Sequence, residues 1–257
     1  YQHNDLFGVI HQQRRAIALK YVDELSLSKQ SRILEIGCGA GLTTVDLARR
    51  GYKIVAVDSV DTMIDLTRRH ALESGVANNV NANVGDIHEL NFQASSFDLV
   101  IALGVTPWLH SLNKALQEVV RVLRSSGYII INADNRYRLN HLLDPAELPA
   151  LAPLKKALKK WLEKIGLRKS TKEPLPHRYR INEFDSFLSS VGLLNIKQTI
   201  LGFGPFTFLK YKVFSESVGI KLHYILQNCA ECGFPVLRST GSQYIVLAKK
   251  NDIAFTL

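Results

Sequence analysis

Apolar residues gather along this chain in short clusters, separated by stretches in which they recur every three or four positions. The clusters fall at residues 32–36, 53–57, 97–103 and 128–132, with alternating Val80, Ala82 and Val84 over 79–84, and segments of this length bounded by turn residues predict strands, the continuous ones buried on both faces. Between them, helical spacing predicts helices over 8–25, 42–50, 60–74 and 113–124, with Gly51 and Gly75 placed to end two of them. Strands alternating with helices imply a parallel sheet covered on both sides. The rhythm breaks after Asn132 for nearly fifty residues. It resumes with a helix over 182–191 and a strand over 195–201, departs again over 202–239 with a helix near 215–232, and ends on a strand at 243–247. The expected organisation is an N-terminal helix and core over 1–134, a basic inserted cap over 135–180, a return to the core over 181–201, an aromatic-rich second insertion over 202–240, and the last core strand with its tail over 241–257. Both insertions are expected to fold over one end of the sheet, since long insertions at strand ends shape ligand sites.

The first strand runs directly into Glu35-Ile-Gly37-Cys38-Gly39-Ala-Gly41, and a helix follows. Glycines between a strand and a helix let the backbone turn tightly and approach a ligand without Cβ clashes. Such a loop alone is shared by many nucleotide-binding folds. Here the sixth position of a dinucleotide fingerprint is Leu42 rather than Gly or Ala, which disfavours a nicotinamide dinucleotide. Asp58 closes the second strand, where a carboxylate can accept both hydroxyls of a ribose, and Asp86 stands equivalently after the third.

With the E-I-G-C-G-A-G run, the acid at Asp58, Gly85-Asp86-Ile87, the F-D-L-V strand and the R-V-L-R-x-x-G turn at 121–127, the chain resembles the class I S-adenosylmethionine-dependent methyltransferases of small-molecule type. The resemblance spans roughly residues 30–134 and the closing helix and strands. It implies an α/β Rossmann-like, mostly parallel seven-stranded sheet with helices on both faces and a cap built from the two insertions. It also implies S-adenosyl-L-methionine as cofactor, with S-adenosyl-L-homocysteine as product. By that resemblance Gly37 and Gly39 pass the methionine part, Asp58 holds the ribose, Asp86 reaches the adenine amino group, Ile87 packs on the ring, with Met63 either there or in the helix core, and Leu103 faces the sulfonium side; Cys38 and Ser59 are further cofactor-site candidates. Glu35 reads better as a brace for the loop than as a ligand contact. The pattern departs after the fourth strand. Where many relatives carry E-H or H-H, this chain has Thr106-Pro107-Trp108-Leu109-His110, so no general base is carried over. The catalytic residue is left unassigned, with His110, Tyr137, His141 and His177 as weak candidates, and Trp108, Asn135, Tyr137 and Phe206 are expected to line the acceptor pocket.

The net charge of +9 changes the picture only once it is located. Residues 151–180 hold ten Lys/Arg against two acids, an excess of eight, so the rest of the chain is nearly neutral. Within this segment Leu151, Leu154, Leu158, Trp161, Leu162 and Ile165 share one helical face, and Lys155, Lys156, Lys159, Lys160 and Lys164 another. The expectation is a lid with a core face and a solvated lysine face. Peripheral contact with an anionic membrane through 151–165 is the alternative, and nucleic acid is disfavoured because no stacking platform or appended module is evident. Phe203, Phe206, Phe208, Tyr211 and Phe214 crowd the second insertion, as suits an apolar or aromatic small-molecule acceptor. Three cysteines and no run of ~18 apolar residues point to a cytoplasmic protein without disulfides or a membrane span. Cys229 and Cys232 have C-x-x-C spacing but no second ligand pair, so no metal is expected.

Overall fold

A computed structural model describes residues 5–164 and 176–251. Helix α1 (Leu6–Glu24) precedes β1 (Arg32–Ile36), α2 (Leu42–Arg49), β2 (Lys53–Asp58), α3 (Asp61–Glu73), β3 (Val80–Val84), β4 (Phe97–Ala102), α4 (Leu112–Val122) and β5 (Leu123–Asp134). Then come α5 (Leu139–Leu143), α6 (Ala152–Lys164), α7 (Ile181–Ser190), β6 (Leu193–Leu201), the short strands β7 (Thr207–Phe208) and β8 (Tyr211–Lys212), α8 (Glu216–Glu231), α9 (Leu237–Thr240) and β9 (Gln243–Lys250).

Seven strands form one sheet in the order β3-β2-β1-β4-β5-β9-β6, and β2-β3, β1-β2, β1-β4 and β4-β5 are parallel pairs. This is the Rossmann-like arrangement expected. The apolar runs became the central strands because both faces are covered: Ile33, Leu34, Leu99, Val100, Ile101, Ile129 and Ile130 are all fully buried, each contributing about 1.5–3 kcal/mol by leaving water. Helix α4 buries Leu112, Ala115, Leu116, Val119 and Val122, a stripe at helical spacing, and Ser111 caps it by accepting from the Lys114 amide at 3.3 Å.

The chain divides into two compact units. The core unit comprises Gln12–Ala133, Ile181–Thr199 and Tyr244–Leu257, and the second unit comprises Tyr1–His11, Asp134–Arg180 and Ile200–Gln243. In the second unit, the Tyr179 amide donates to the Asp134 carbonyl at 2.9 Å and the Arg136 amide to the Tyr179 carbonyl at 2.8 Å. Its other organiser is Asp144, a buried carboxylate that accepts from the amides of Ala146, Leu209 and Lys210 and from the Thr207 hydroxyl. Burial alone would raise this carboxyl, but those four donors outweigh it and hold it down at about 2. They also hold the β7–β8 turn, where Leu209 and Lys210 both adopt positive φ.

Helix α6 departs from the expected core and solvated faces at individual residues. Leu154 and Trp161, placed on a core face by spacing, are 67% and 56% exposed. Lys155, placed on the solvated face, instead donates to the carbonyls of Ala146 and Leu148 at 2.8 and 3.3 Å. Amphipathic spacing specifies two faces, but which of them is covered depends on what packs there. Ile165 and the rest of 165–175 lie outside the described residues, as does the tail 252–257.

Candidate active site

Strand register brings the candidate cofactor residues of the core unit into a row. Ile36 pairs with Val57 on one side and Ala102 on the other, and Asp58 pairs with Val84. Gly37 and Gly85 therefore follow directly on β1 and β3 while Asp58 ends β2 between them, on neighbouring strands about 4.8 Å apart. Strand order reverses between β1 and β4, and open α/β sheets bind ligands in the crevice at such a reversal.

The loop after β1 is built on glycine conformations. Gly37, Gly39 and Gly41 have φ of 70°, 54° and 76°, a region that side chains rarely tolerate. A Cβ on Gly37 would stand 2.5 Å from Val105 Cγ2, and one on Gly41 2.8 Å from Thr67 Oγ1. Beneath the loop, Glu35 is 4% exposed and accepts a short hydrogen bond from the Thr44 hydroxyl. Burial pushes its carboxyl up to about 7 against the pull of Thr44 and Thr43. Cys38 departs from its expected part. Its side chain is buried with Ala56, Ile64 and Ala82, its Sγ lies 3.5 Å from Thr67 Oγ1, and burial pushes the thiol up to about 12. Its amide, like that of Gly37, is spent on the Val57 carbonyl, so Cys38 packs the loop onto the core.

Asp58 ties the loop to the second strand. Its Oδ2 accepts from the Gly39 amide at 2.9 Å and its Oδ1 from the Val60 amide at 3.0 Å. Each oxygen keeps a further lone pair, so two ribose hydroxyls have acceptors on a carboxylate whose position is already set. Asp86 uses only one oxygen. Its Oδ1 accepts from the His88 amide at 2.8 Å and ring Nδ1 at 2.6 Å, and the side chain is 58% exposed. The His88 amide holds this carboxyl below its ordinary range, against a smaller opposing effect of burial. Ile87 is buried, Met63 and Leu103 are half-buried, and Ser59 is exposed. Glycine-only backbone, two carboxylate acceptors and apolar neighbours suit an adenosyl group.

Three contributors escaped the sequence reading. Arg121 donates to the carbonyls of Leu90 and Phe92, both at 2.6 Å, while Glu118 accepts from the Leu90 amide, so α4 clamps the loop after Asp86. Asn132 accepts from the Gly104 amide at 2.6 Å through its side chain and from the Thr106 hydroxyl at 2.8 Å through its carbonyl. That fixes the turn leading to Trp108, which is 68% exposed. A buried Asn ending an apolar strand was a usable signal, because buried polar groups need partners. The third is His88.

The catalytic candidates are divided between the two units. In the core unit, His110 is exposed and stacks on His88, with ring centroids 3.5 Å apart. In the second unit, His177 is exposed, and His141 is half-buried, 3.4 Å from Arg178. Burial, with Arg138 and Arg178 adding, drives His141 down to about 4. Tyr137 lies under the Arg180 guanidinium at 5.4 Å, and Phe206 meets Phe214 edge-on. Asn135, expected in the acceptor pocket, is instead a brace. It is 2% exposed, its Nδ2 donates to the carbonyls of Ser239 and Gly241, and its Oδ1 accepts from the Tyr137 amide. Both hydrogens of its Nδ2 are thereby taken. Among the described residues no group of three metal-ligating side chains occurs, and Cys229 and Cys232 are free thiols.

The fold and this row of groups define a nucleoside-binding α/β protein at the level of class. Residues 34–131 match the model of the methyltransferase domain family. A ubiquinone biosynthesis O-methyltransferase from Chelativorans sp. (strain BNC1) is 32% identical over 105 residues, 41% of this chain and 41% of that protein. The chain spans about half the length of the curated relatives it matches. Among solved structures, a putative sarcosine dimethylglycine methyltransferase from Galdieria sulphuraria aligns with TM-score 0.61 at 15% identity, covering 94% of this chain and 86% of that one. A geranyl diphosphate C-methyltransferase from Streptomyces coelicolor A3(2), solved with Mg2+, geranyl diphosphate and S-adenosyl-L-homocysteine, aligns with TM-score 0.58 at 15% identity over 93% and 81%. Over residues 34–131 the chain is similar to the methyltransferase domain family, and its fold is that of S-adenosylmethionine-dependent methyltransferases.

Proposed function

We propose that this protein transfers the methyl group of S-adenosyl-L-methionine to an O, N or C centre of a small, fairly apolar acceptor by in-line displacement. The observation that carries the reading is the row formed by the glycine loop, Asp58 and Asp86 beyond three neighbouring strands. The cofactor supplies an activated methyl on a charged sulfonium. The chain's own part is to bind and orient: Asp58 takes the ribose, Asp86 the adenine amine, Ile87 and Met63 the ring faces, and Trp108 offers an exposed aromatic face to the acceptor. Alignment of this kind lowers a displacement barrier without a base, and a base is needed only for an acceptor whose pKa exceeds the working pH. Calorimetry tests the reading. S-adenosyl-L-homocysteine should bind and NAD should not, and Asp58→Ala should weaken binding by ten- to a hundredfold, as loss of a charged acceptor worth about 1.5–3 kcal/mol implies. Tight NAD binding, or indifference to the substitution, would refute it.

A second reading makes the acceptor lipid-linked or quinone-like, met at a membrane surface. It is favoured by Leu154 and Trp161 standing exposed on a lysine-rich helix, and by Phe208, Leu209 and Tyr211 exposed on the β7–β8 hairpin. Apolar side chains beside cationic ones suit an anionic interface. The ubiquinone-pathway names of the relatives point the same way. No helix among the described residues is long and apolar enough to cross a membrane, so such contact would be peripheral.

A further inference from the structure

We infer that His88 is a positioning residue for the cofactor's purine, holding Asp86 so that a single carboxylate oxygen faces the base and the site selects a 6-amino over a 6-oxo ring. This rests on the reading of Asp86 as the adenine contact, which the experiment below tests separately.

An aspartate that is 58% exposed at the end of a strand would ordinarily sample several rotamers and present either oxygen. Here two donors from one residue, the His88 amide at 2.8 Å and ring Nδ1 at 2.6 Å, both take Oδ1. The ring cannot easily turn away. It is 6% exposed, stacks on His110 with centroids 3.5 Å apart and planes 28° from parallel, and at Nε2 accepts from the Ser111 amide at 3.4 Å. A proton on Nδ1 and a lone pair on Nε2 satisfy both bonds, so one neutral tautomer serves the whole arrangement. The loop carrying it is clamped at Leu90 by Glu118 and Arg121.

Asp86 Oδ2, in contrast, accepts no hydrogen bond from a described residue. It is an ionised acceptor in a fixed place. A 6-amino group can donate to it, whereas a 6-oxo group would set oxygen against carboxylate, and sites built around one hydrogen-bond polarity discriminate against the other. Because His110 and Ser111 belong to the segment that also holds Trp108, His88 links the purine end of the site to the turn after β4 within one unit.

The test measures binding of S-adenosyl-L-homocysteine and its 6-oxo counterpart, S-inosyl-L-homocysteine, by calorimetry, with melting temperature recorded for each variant. The wild type should prefer the amino form at least tenfold. His88→Gln, which can reach the Ser111 amide but not replace Nδ1, should cut that preference at least threefold. His88→Asn, whose amide stands where Nδ1 does, should restore most of it at comparable melting temperature. Should either variant unfold, His88→Phe supplies the loss arm and must behave as His88→Gln does. Preference retained in His88→Gln while Asp86→Ala abolishes it overturns the positioning role alone. An Asp86→Ala protein with unchanged affinity and preference overturns the purine contact itself and the inference with it.

Discussion

Replacing Glu35 by glutamine should change how the stability of the core unit depends on pH. Glu35 lies under the glycine loop at 4% exposure, and burial lifts its carboxyl from 4.5 to about 7 although Thr44 and Thr43 bond to the charged form. The folded state therefore keeps a proton that the unfolded chain has already released, and between those two pH values the stability falls as pH rises. At about 1.4 kcal/mol per pH unit, the interval from 4.5 to about 7 corresponds to roughly 3 kcal/mol. The amide of the Glu35→Gln variant has nothing to ionise and can still accept from Thr44. Urea unfolding at pH 4.5, 6 and 8, followed by circular dichroism, should show the variant gaining about 3 kcal/mol on the wild type across that range, most of it before pH 7. Other groups that titrate, such as Asp144 and His223, do so in both proteins and cancel in the difference. Parallel stability curves would refute the reasoning, since they would mean that Glu35 ionises in the folded protein as easily as in the unfolded one.

Two further outcomes follow from the second unit. Asp144→Asn should release the β7–β8 turn, read as faster amide hydrogen exchange at Leu209 and Lys210. With its carboxyl held at about 2 instead of 3.8, the brace should persist above pH 4 and be lost as pH falls towards 2, and unchanged exchange in the variant would count against it. If the membrane reading holds, sedimentation with phosphatidylglycerol vesicles should drop sharply for Lys156→Gln combined with Trp161→Ser, at about 1 kcal/mol per lysine near the surface. No wild-type sedimentation would remove that reading and leave a soluble acceptor.

The sheet was legible in the residues because a strand buried on both faces needs a mostly apolar stretch, and β1, β2, β4 and β5 each carry one, at residues 33–34, 54–57, 99–102 and 128–131. The acids were legible because a carboxylate ending such a stretch sits at the strand's end whatever surrounds it, and the glycines because they reach the φ that the loop requires without Cβ strain. Everything that depends on what lies opposite was hidden. Cys38 belongs to a ligand loop by position, yet its side chain turns into the core because Ala56 and Ala82 leave room there. Asn135 follows a strand like a site residue, but backbone carbonyls of Ser239 and Gly241, more than a hundred positions away, claim its amide. The spacing of α6 prescribes two faces without saying which is covered, and Leu154 and Trp161 stand exposed. His88 carries no motif at all. Its part arises where the turn after β3 meets the start of α4, because stacking and hydrogen bonding act between groups that only the folded chain brings within 3 to 4 Å. Local periodicity and backbone stereochemistry are properties of neighbouring residues and so are written in the sequence, whereas the partner of a buried polar group is chosen by tertiary packing.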